Sequence, residues 1–474
     1  MLLQKHRSSV NSLSRAVKNG SICAPASYRF QVARKWRRFS WLCKAVIAGL
    51  IDRNTDKGDH GLINNFIAAK ARQEFSRALH FKEGETPYVP PPADQKPRML
   101  YLHVPFCERL CPYCSFHRVI FKEGLCRDYF HALRKEITAY RAMGYKFGAM
   151  YVGGGTPTVL MDELIETIAL AGETFGINEI SVETNPNHLT DERLTALRNV
   201  GVNRLSVGIQ SFDDGLLKRM ERYDYGSGAQ IEERLRRTMG RFETLNADMI
   251  FNFPTQNSAM LDRDLDILLS IGVDQTTWYP LMVSASTRKK VEKTLGKVDY
   301  RQEKAFYHQI VKRLVPQYRF SSAWCFSRGK AMIDEYIVDY DEYAGLGSGA
   351  IGYLSGVSYA NTFDISGYID MMEKGKLPLL VSRVFSERDT IRYDFMMKLF
   401  GTRLNLPALK EKYGGSLRLL RPDLFAFFLA GGLSWRSPEI VLSARGRYYW
   451  VILMREFFIA VNNFRDYCRD QTPG

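Results

Sequence analysis

Between residues 99 and 281, six short apolar runs alternate with amphipathic segments, and that alternation leaves few architectures open. The runs are 99–104, 149–152, 179–182, 204–207, 247–251 and 276–281, with helical patterns between them at 127–140, 162–175, 191–199 and 261–270. Short apolar runs separated by helices read as buried strands paired in parallel through right-handed crossovers. The expected class is α/β. Two further units needed for a closed eight-stranded barrel are not found, so the count points to a partial (β/α)6 barrel.

The chain has 474 residues, 45% hydrophobic and 25% charged, ample for a buried core. Its formal charge of +15 is unevenly placed: residues 1–60 hold 12 Lys/Arg against 3 Asp/Glu, a net +9, leaving +6 for the other 414. The body is therefore only mildly basic, and nucleic-acid binding is not expected of it. No apolar run is long enough to span a bilayer; the stretch 42–51 is short and carries Lys44.

The first 51 residues contain no Asp or Glu and resemble a transit peptide, but a disordered basic extension, or an upstream start codon that makes no functional segment, is the preferred reading. Four units are expected: the extension 1–60; a helical arm (62–81) and proline-rich linker within 61–98; the barrel 99–352; and a small, mostly helical C-terminal lid, 353–474. Removing residues 1–60 is expected to leave cofactor assembly and turnover intact, which iron content and product formation of the truncated chain would check. The protein reads as cytoplasmic and monomeric.

Three of the eight cysteines crowd into one segment, His103-Val104-Pro105-Phe106-Cys107-Glu108-Arg109-Leu110-Cys111-Pro112-Tyr113-Cys114-Ser115-Phe116, directly after the first apolar run. Loops at the C-terminal ends of parallel strands carry the chemistry of such barrels. Three thiolates at C-x3-C-x2-C suit an iron–sulfur cluster with one iron left without a protein ligand. Zinc is the alternative, but a closed zinc site wants four ligands; Cys126 and His117 are the candidates for a fourth.

The loop resembles that of the radical S-adenosylmethionine (SAM) superfamily, and its flanks, from Tyr101 to Phe106 and at Phe116, resemble the oxygen-independent coproporphyrinogen III oxidase group. The resemblance implies a [4Fe–4S] cluster on Cys107, Cys111 and Cys114. It also implies one or two SAM molecules, a tetrapyrrole-type substrate and a one-electron donor such as flavodoxin or ferredoxin. Tyr101 and Tyr113 then belong to the cofactor site. In Gly153-Gly154-Gly155-Thr156-Pro157-Thr158, Gly154 matches the position beside the amino group of SAM, while Gly155 and Thr156 match positions facing a second SAM. Glu183, directly after the third run, matches a SAM contact; Gln210, Arg222 and Asp248 match positions around the second. The segment Gly345-Leu346-Gly347-Ser348-Gly349-Ala350-Ile351-Gly352 resembles the glycine turn that closes the site. Ile351 there matches the oxidase.

Two departures leave the reaction open. The oxidase carries a fourth cysteine where this chain has Phe116. The group's haem chaperone carries a His-Asn-x-x-Tyr-Trp motif where this chain reads Ser322-Ala323-Trp324-Cys325-Phe326-Ser327-Arg328. The implied activity is that of a radical SAM oxidoreductase on a porphyrin-type substrate. Haem carriage without turnover and SAM-dependent methyl transfer are the alternatives. Substrate propionates would need guanidinium partners, for which Arg109 and Arg328 are candidates; Cys325 is a candidate haem or cluster ligand. The aromatics of 425–458 are expected in the core.

Overall fold

The computed structural model describes residues 60–79, 81, 86–329 and 338–471. Apart from His60, the basic extension lies outside them. Helix α1 (His60–Ala78) is the expected arm, and residues 86–97 form neither helix nor strand.

The six expected strands are all present: β1 (Arg98–Val104), β2 (Phe147–Gly154), β3 (Glu179–Thr184), β4 (Arg204–Gln210), β5 (Thr244–Phe251) and β6 (Gln275–Pro280). They pair in parallel in chain order. Between them run α2 (Glu123–Ala142), α3 (Met161–Phe175), α4 (Asp191–Asn199), α5 (Gly228–Thr238) and α6 (Ser258–Ile271). Local chemistry sets several of these ends. Ser227 and Gln230 form a reciprocal capping box at the start of α5, and Gly176 and Gly272 end α3 and α6 in the left-handed conformation that suits glycine.

After β6 come α7 (Ala285–Thr294), α8 (Glu303–Leu314) and the short strands β7 (Arg319–Phe320) and β8 (Cys325–Ser327); β8 pairs antiparallel with β6, and β7 antiparallel with β8 at the sheet's edge. The other edge departs from expectation. Strand β9 (Tyr343–Leu346) pairs in parallel with β1, adding a seventh parallel strand where a glycine loop was expected. A Cβ on Gly345 would lie 2.2 Å from the Ile351 carbonyl oxygen, so its glycine admits a close backbone approach inside a strand. Strands β10 (Ile351–Leu354) and β11 (Val357–Asn361), helix α9 (Ile365–Glu373) and strand β12 (Leu379–Val384) follow. The twelve-stranded sheet runs β12-β11-β10-β9-β1-β2-β3-β4-β5-β6-β8-β7, and the boundary expected at 352/353 falls inside β10.

Beyond it, α10 (Glu387–Phe400), β13 (Arg403–Asn405), α11 (Leu406–Tyr413), α12 (Arg421–Leu429), β14 (Leu433–Arg436), β15 (Glu439–Leu442) and α13 (Ala444–Asp470) make the mostly helical unit. Its three strands form a small antiparallel sheet, β13-β15-β14. Among the described residues no helix is long and apolar enough to cross a membrane.

Candidate active site

The cysteine loop is a closed excursion from the end of β1. Residues Phe106–Cys107 pair in parallel with Val119–Ile120, and Phe121 N donates to Cys107 O at 2.9 Å. Arg118 clamps the interior: one guanidinium nitrogen donates to both Cys111 O and Cys114 O at 2.7 Å.

The glycine run at the end of β2 lies beneath this loop. Gly155 N donates to Val104 O at 2.8 Å and Thr156 N to Phe106 O at 2.7 Å. A Cβ on Gly155 would meet Phe106 O at 2.5 Å, and one on Gly153 would meet Glu183 Oε1 at 2.7 Å. The glycines thus let the strand end press against both the cysteine segment and Glu183. That carboxylate accepts from Tyr151 OH at 2.9 Å and Gly154 N at 3.0 Å. Gly155→Ala is expected to cost about 1–3 kcal/mol through overpacking and to lower iron retention by displacing Phe106–Cys107. Denaturant titration and iron analysis would check both.

A polar chain joins two of the thiols from behind. Arg222 donates to Cys111 Sγ at 3.7 Å, to Asn185 Oδ1 at 2.9 Å and to Gly208 O; Asn185 Nδ2 donates to Thr156 Oγ1 at 2.8 Å, and Thr156 Oγ1 to Cys107 Sγ at 3.7 Å. Burial, then the adjacent Cys114 thiol, push Cys107 up to about 12. A thiolate there therefore calls for strongly positive charge, which a metal cluster supplies, and the donor set fits one. Among the described residues no three His, Cys, Asp or Glu side chains converge as a single ion would need. Thiolates that each bind a separate iron of a cluster have no such requirement.

All thirteen candidate cofactor and metal residues border one cavity of about 580 Å³. Tyr101 OH bonds His103 Nδ1 at 2.8 Å, and Tyr113 packs edge-on against Phe253. Gln210 ends β4 at φ +73°, where the register with β5 shifts. Asp248 accepts from Ser206 Oγ at 2.6 Å and Asn246 Nδ2 at 2.9 Å. Ile351 sits at the start of β10, beside Phe81 and Phe464.

Other candidates fall elsewhere. Arg328 donates to Gly272 O at 2.7 Å and stacks on Tyr318, away from the cavity; Arg109 borders it but pairs with Asp224 at 2.6 Å. Cys325 is buried in β8, where its Sγ accepts from Thr277 Oγ1 at 3.6 Å. Cys126 is buried on α2, and His117 hydrogen-bonds Ser348 Oγ at 3.1 Å. Sequence reasoning assigned no role to Asn185 or Arg118, although both stand inside or beside its motifs.

The far wall is aromatic. Phe427, Trp450, Phe457 and Phe458 line the cavity rather than only filling the core, and Arg383, Arg392 and Arg465 stand among them. Arm helix α1 reaches the same cavity through Phe75 and Arg77.

The turn after β9 is held from below. Glu136 on α2 accepts from Tyr368 OH at 2.6 Å, Gly347 N at 2.8 Å and Asn361 Nδ2 at 2.8 Å. Burial raises its carboxyl to about 7 from 4.5. A carboxyl raised on folding binds more protons in the native state, so native stability falls as pH rises from about 4.5 to 7. The span corresponds to about 3 kcal/mol. Glu136→Gln is expected to flatten that part of the stability profile, measured by denaturant titration across the same range.

The model of the radical SAM superfamily matches residues 101–268. The chain carries a radical SAM domain. A [4Fe–4S] cluster and SAM are the cofactors of that superfamily. The chain is 27% identical to the heme chaperone HemW of Bacillus subtilis over 72% of its own length and 93% of that protein. It is 28% identical to anaerobilin synthase of Escherichia coli O157:H7 (63% and 70% covered) and 26% identical to the oxygen-independent coproporphyrinogen III oxidase of Cereibacter sphaeroides (69% and 78%). Its fold is similar to that of the coproporphyrinogen III oxidase HemN from Escherichia coli, with a TM-score of 0.63 at 22% identity, covering 81% of this chain and 93% of that one.

Proposed function

We propose that this protein is a radical SAM oxidoreductase acting on a flat, carboxylate-bearing tetrapyrrole, with Cys107, Cys111 and Cys114 holding the cluster. One observation carries the reading: a single cavity joins the cysteine loop and Glu183 to a wall of aromatic rings set with arginines. Its volume of about 580 Å³ lies within the usual range for small-molecule sites.

When bound, the cluster supplies the electron that cleaves SAM to methionine and a hydrogen-abstracting 5′-deoxyadenosyl radical. The chain's part is to place the reactants and exclude water. Glu183 and the backbone around Gly154 meet the polar end of SAM, and Tyr113 lies against it. Gly155, Thr156, Gln210, Arg222 and Asp248 border the space for a second SAM. Arg109, Arg383, Arg392 and Arg465 border the cavity and take the propionates, Arg109 and Arg392 by exchanging Asp224 and Asp423 for them; Arg328 lies outside it. In the leading reaction a propionate gives up one hydrogen atom to the radical. It then loses CO2 and passes one electron to an acceptor, leaving a vinyl group. Reduced thiols at the site suit a cytoplasmic protein.

Haem carriage is the second reading, favoured by the likeness to HemW. Against it, His103 is the one histidine among the described residues lining the cavity, and both its ring nitrogens are engaged, by Tyr101 OH and by His117 O at 3.0 Å. Burial lowers its pKa to about 4.

Product mass after anaerobic reconstitution and reduction with SAM and coproporphyrinogen tests the proposal. Loss of CO2 supports it. A gain of CH2 would replace it with methyl transfer, and haem retained without any product would replace it with carriage.

A further inference from the structure

Two side chains tie the Cys107–Cys111 span of the cysteine loop to the strand ends beside it, and they differ in kind. Arg109 pairs with Asp224 at 2.6 Å, but both side chains are more than half exposed, and Arg109 gives up that partner for substrate. Glu108 does not border the cavity. Its carboxylate meets the turn Pro186–His188 after β3, where Oε2 accepts from Asn187 Nδ2 at 2.9 Å and Oε1 from His188 Nε2 at 3.3 Å.

His188 is held at its other end as well. It is buried, and Nδ1 bonds Thr158 Oγ1 at 2.8 Å, which in turn bonds Thr184 Oγ1 at 2.7 Å. Thr158 follows the glycine run of β2, and Thr184 closes β3 between Glu183 and Asn185. Arg193 of α4 adds a tie, donating to Thr158 O at 2.8 Å. A carboxylate only accepts, so the His188 proton facing Glu108 sits on Nε2. A chain of four hydrogen-bonded side chains thus runs from the residue after Cys107 to the residue after Glu183.

We propose that Glu108 and His188 form a positioning pair that sets the cluster-bearing loop at its working distance from the SAM-facing ends of β2 and β3. The pair touches neither cofactor. Glu108 fixes Cys107 from the adjacent residue, and His188, through Thr158 and Thr184, fixes the strand ends that carry Gly154 and Glu183. Arg118 grips the carbonyls of Cys111 and Cys114, so the span before Cys111 depends on this pair. Placement of reacting groups is steep in its effect: a shift of about 1 Å costs on the order of 100-fold in rate. The inference rests on the cavity holding a cluster and SAM and is independent of which substrate fills it.

The test uses the full-length, cluster-loaded protein, with SAM affinity read by equilibrium dialysis and the reduced cluster by electron paramagnetic resonance. Glu108→Ala is expected to keep its iron, to weaken SAM binding by about tenfold and to shrink the change that SAM causes in the cluster signal. His188→Asn keeps a polar atom near Nδ1 for Thr158 but loses the one facing Glu108, so it should match Glu108→Ala. His188→Gln places its amide nitrogen near Nε2 and should recover most of the lost affinity. Since each change breaks the same link, Glu108→Ala/His188→Asn should bind no more weakly than either single variant. Wild-type SAM affinity in Glu108→Ala overturns the proposal. So does loss of its iron, which would make the pair a support of the loop alone, and so does additive weakening in the double variant. Failure of the underlying reading would show in the unmutated chain: a loaded cluster without SAM binding would overturn that reading and the inference with it.

Discussion

Cys111→Ala is expected to give a folded chain that no longer holds its cluster. Iron should fall from about four per chain to below about one, with loss of the visible charge-transfer absorption. Formation of 5′-deoxyadenosine should drop by more than the 10–100-fold typical of changes to groups behind a metal ligand. Cys111 is the thiol that Arg222 reaches at 3.7 Å, and its carbonyl is one of the two gripped by Arg118. Replacing the side chain removes a ligand but leaves the backbone clamp, so the loop should keep its shape. Arg222→Met separates the two roles: it keeps all three thiols and removes one donor behind them, so iron content should stay near normal while cleavage falls within that 10–100-fold span. Cleavage by Cys111→Ala at the wild-type rate would show that the ligand set has been misassigned.

Much of the site was legible because its motifs sit at strand ends, where period and chemistry coincide. Each apolar run announced a strand, and residues just past the run, such as Glu183 and Gln210, fall at the cavity. Strand β9 was hidden because Gly345 and Gly347 read as a turn, although the first serves backbone contact within the sheet. The aromatic wall was hidden for a different reason. Residues such as Phe457 and Phe458 carry the same apolar signature whether they fill a core or face a cavity. Arg328 misled in the opposite way: nothing in its neighbours foretold that its guanidinium would cap Gly272 O on α6.

The arm and the final helix depend on one buried ionic cluster, and Arg455→Met is expected to expose that dependence. Arg455, 4% exposed on α13, donates to Glu303 Oε1 and Oε2 of α8 at 2.5 and 2.6 Å and to Glu456 Oε1 at 2.9 Å; both glutamates are 0% exposed. Its guanidinium also lies 4.0 Å over the Tyr300 ring. Methionine fills similar volume but leaves Glu303 with only the Tyr448 hydroxyl, a hydrogen bond of 3.1 Å. A buried carboxylate stripped of its cation costs about 3–5 kcal/mol. Glu456 retains Arg72 from α1 at 2.9 Å, but that side chain is 58% exposed, so Arg72→Ala should cost about 1 kcal/mol or less. Denaturant titration of the two variants checks the contrast, and Glu303→Gln combined with Arg455→Met should recover part of the loss by removing the stranded charge. Equal costs for Arg455→Met and Arg72→Ala would show that the cluster is not the anchor. The helix at stake also carries Trp450, Phe457 and Phe458 into the cavity, on either side of Arg455. Losing the anchor should therefore loosen the aromatic wall before it disturbs the cysteine loop, and substrate affinity should weaken while the cluster survives.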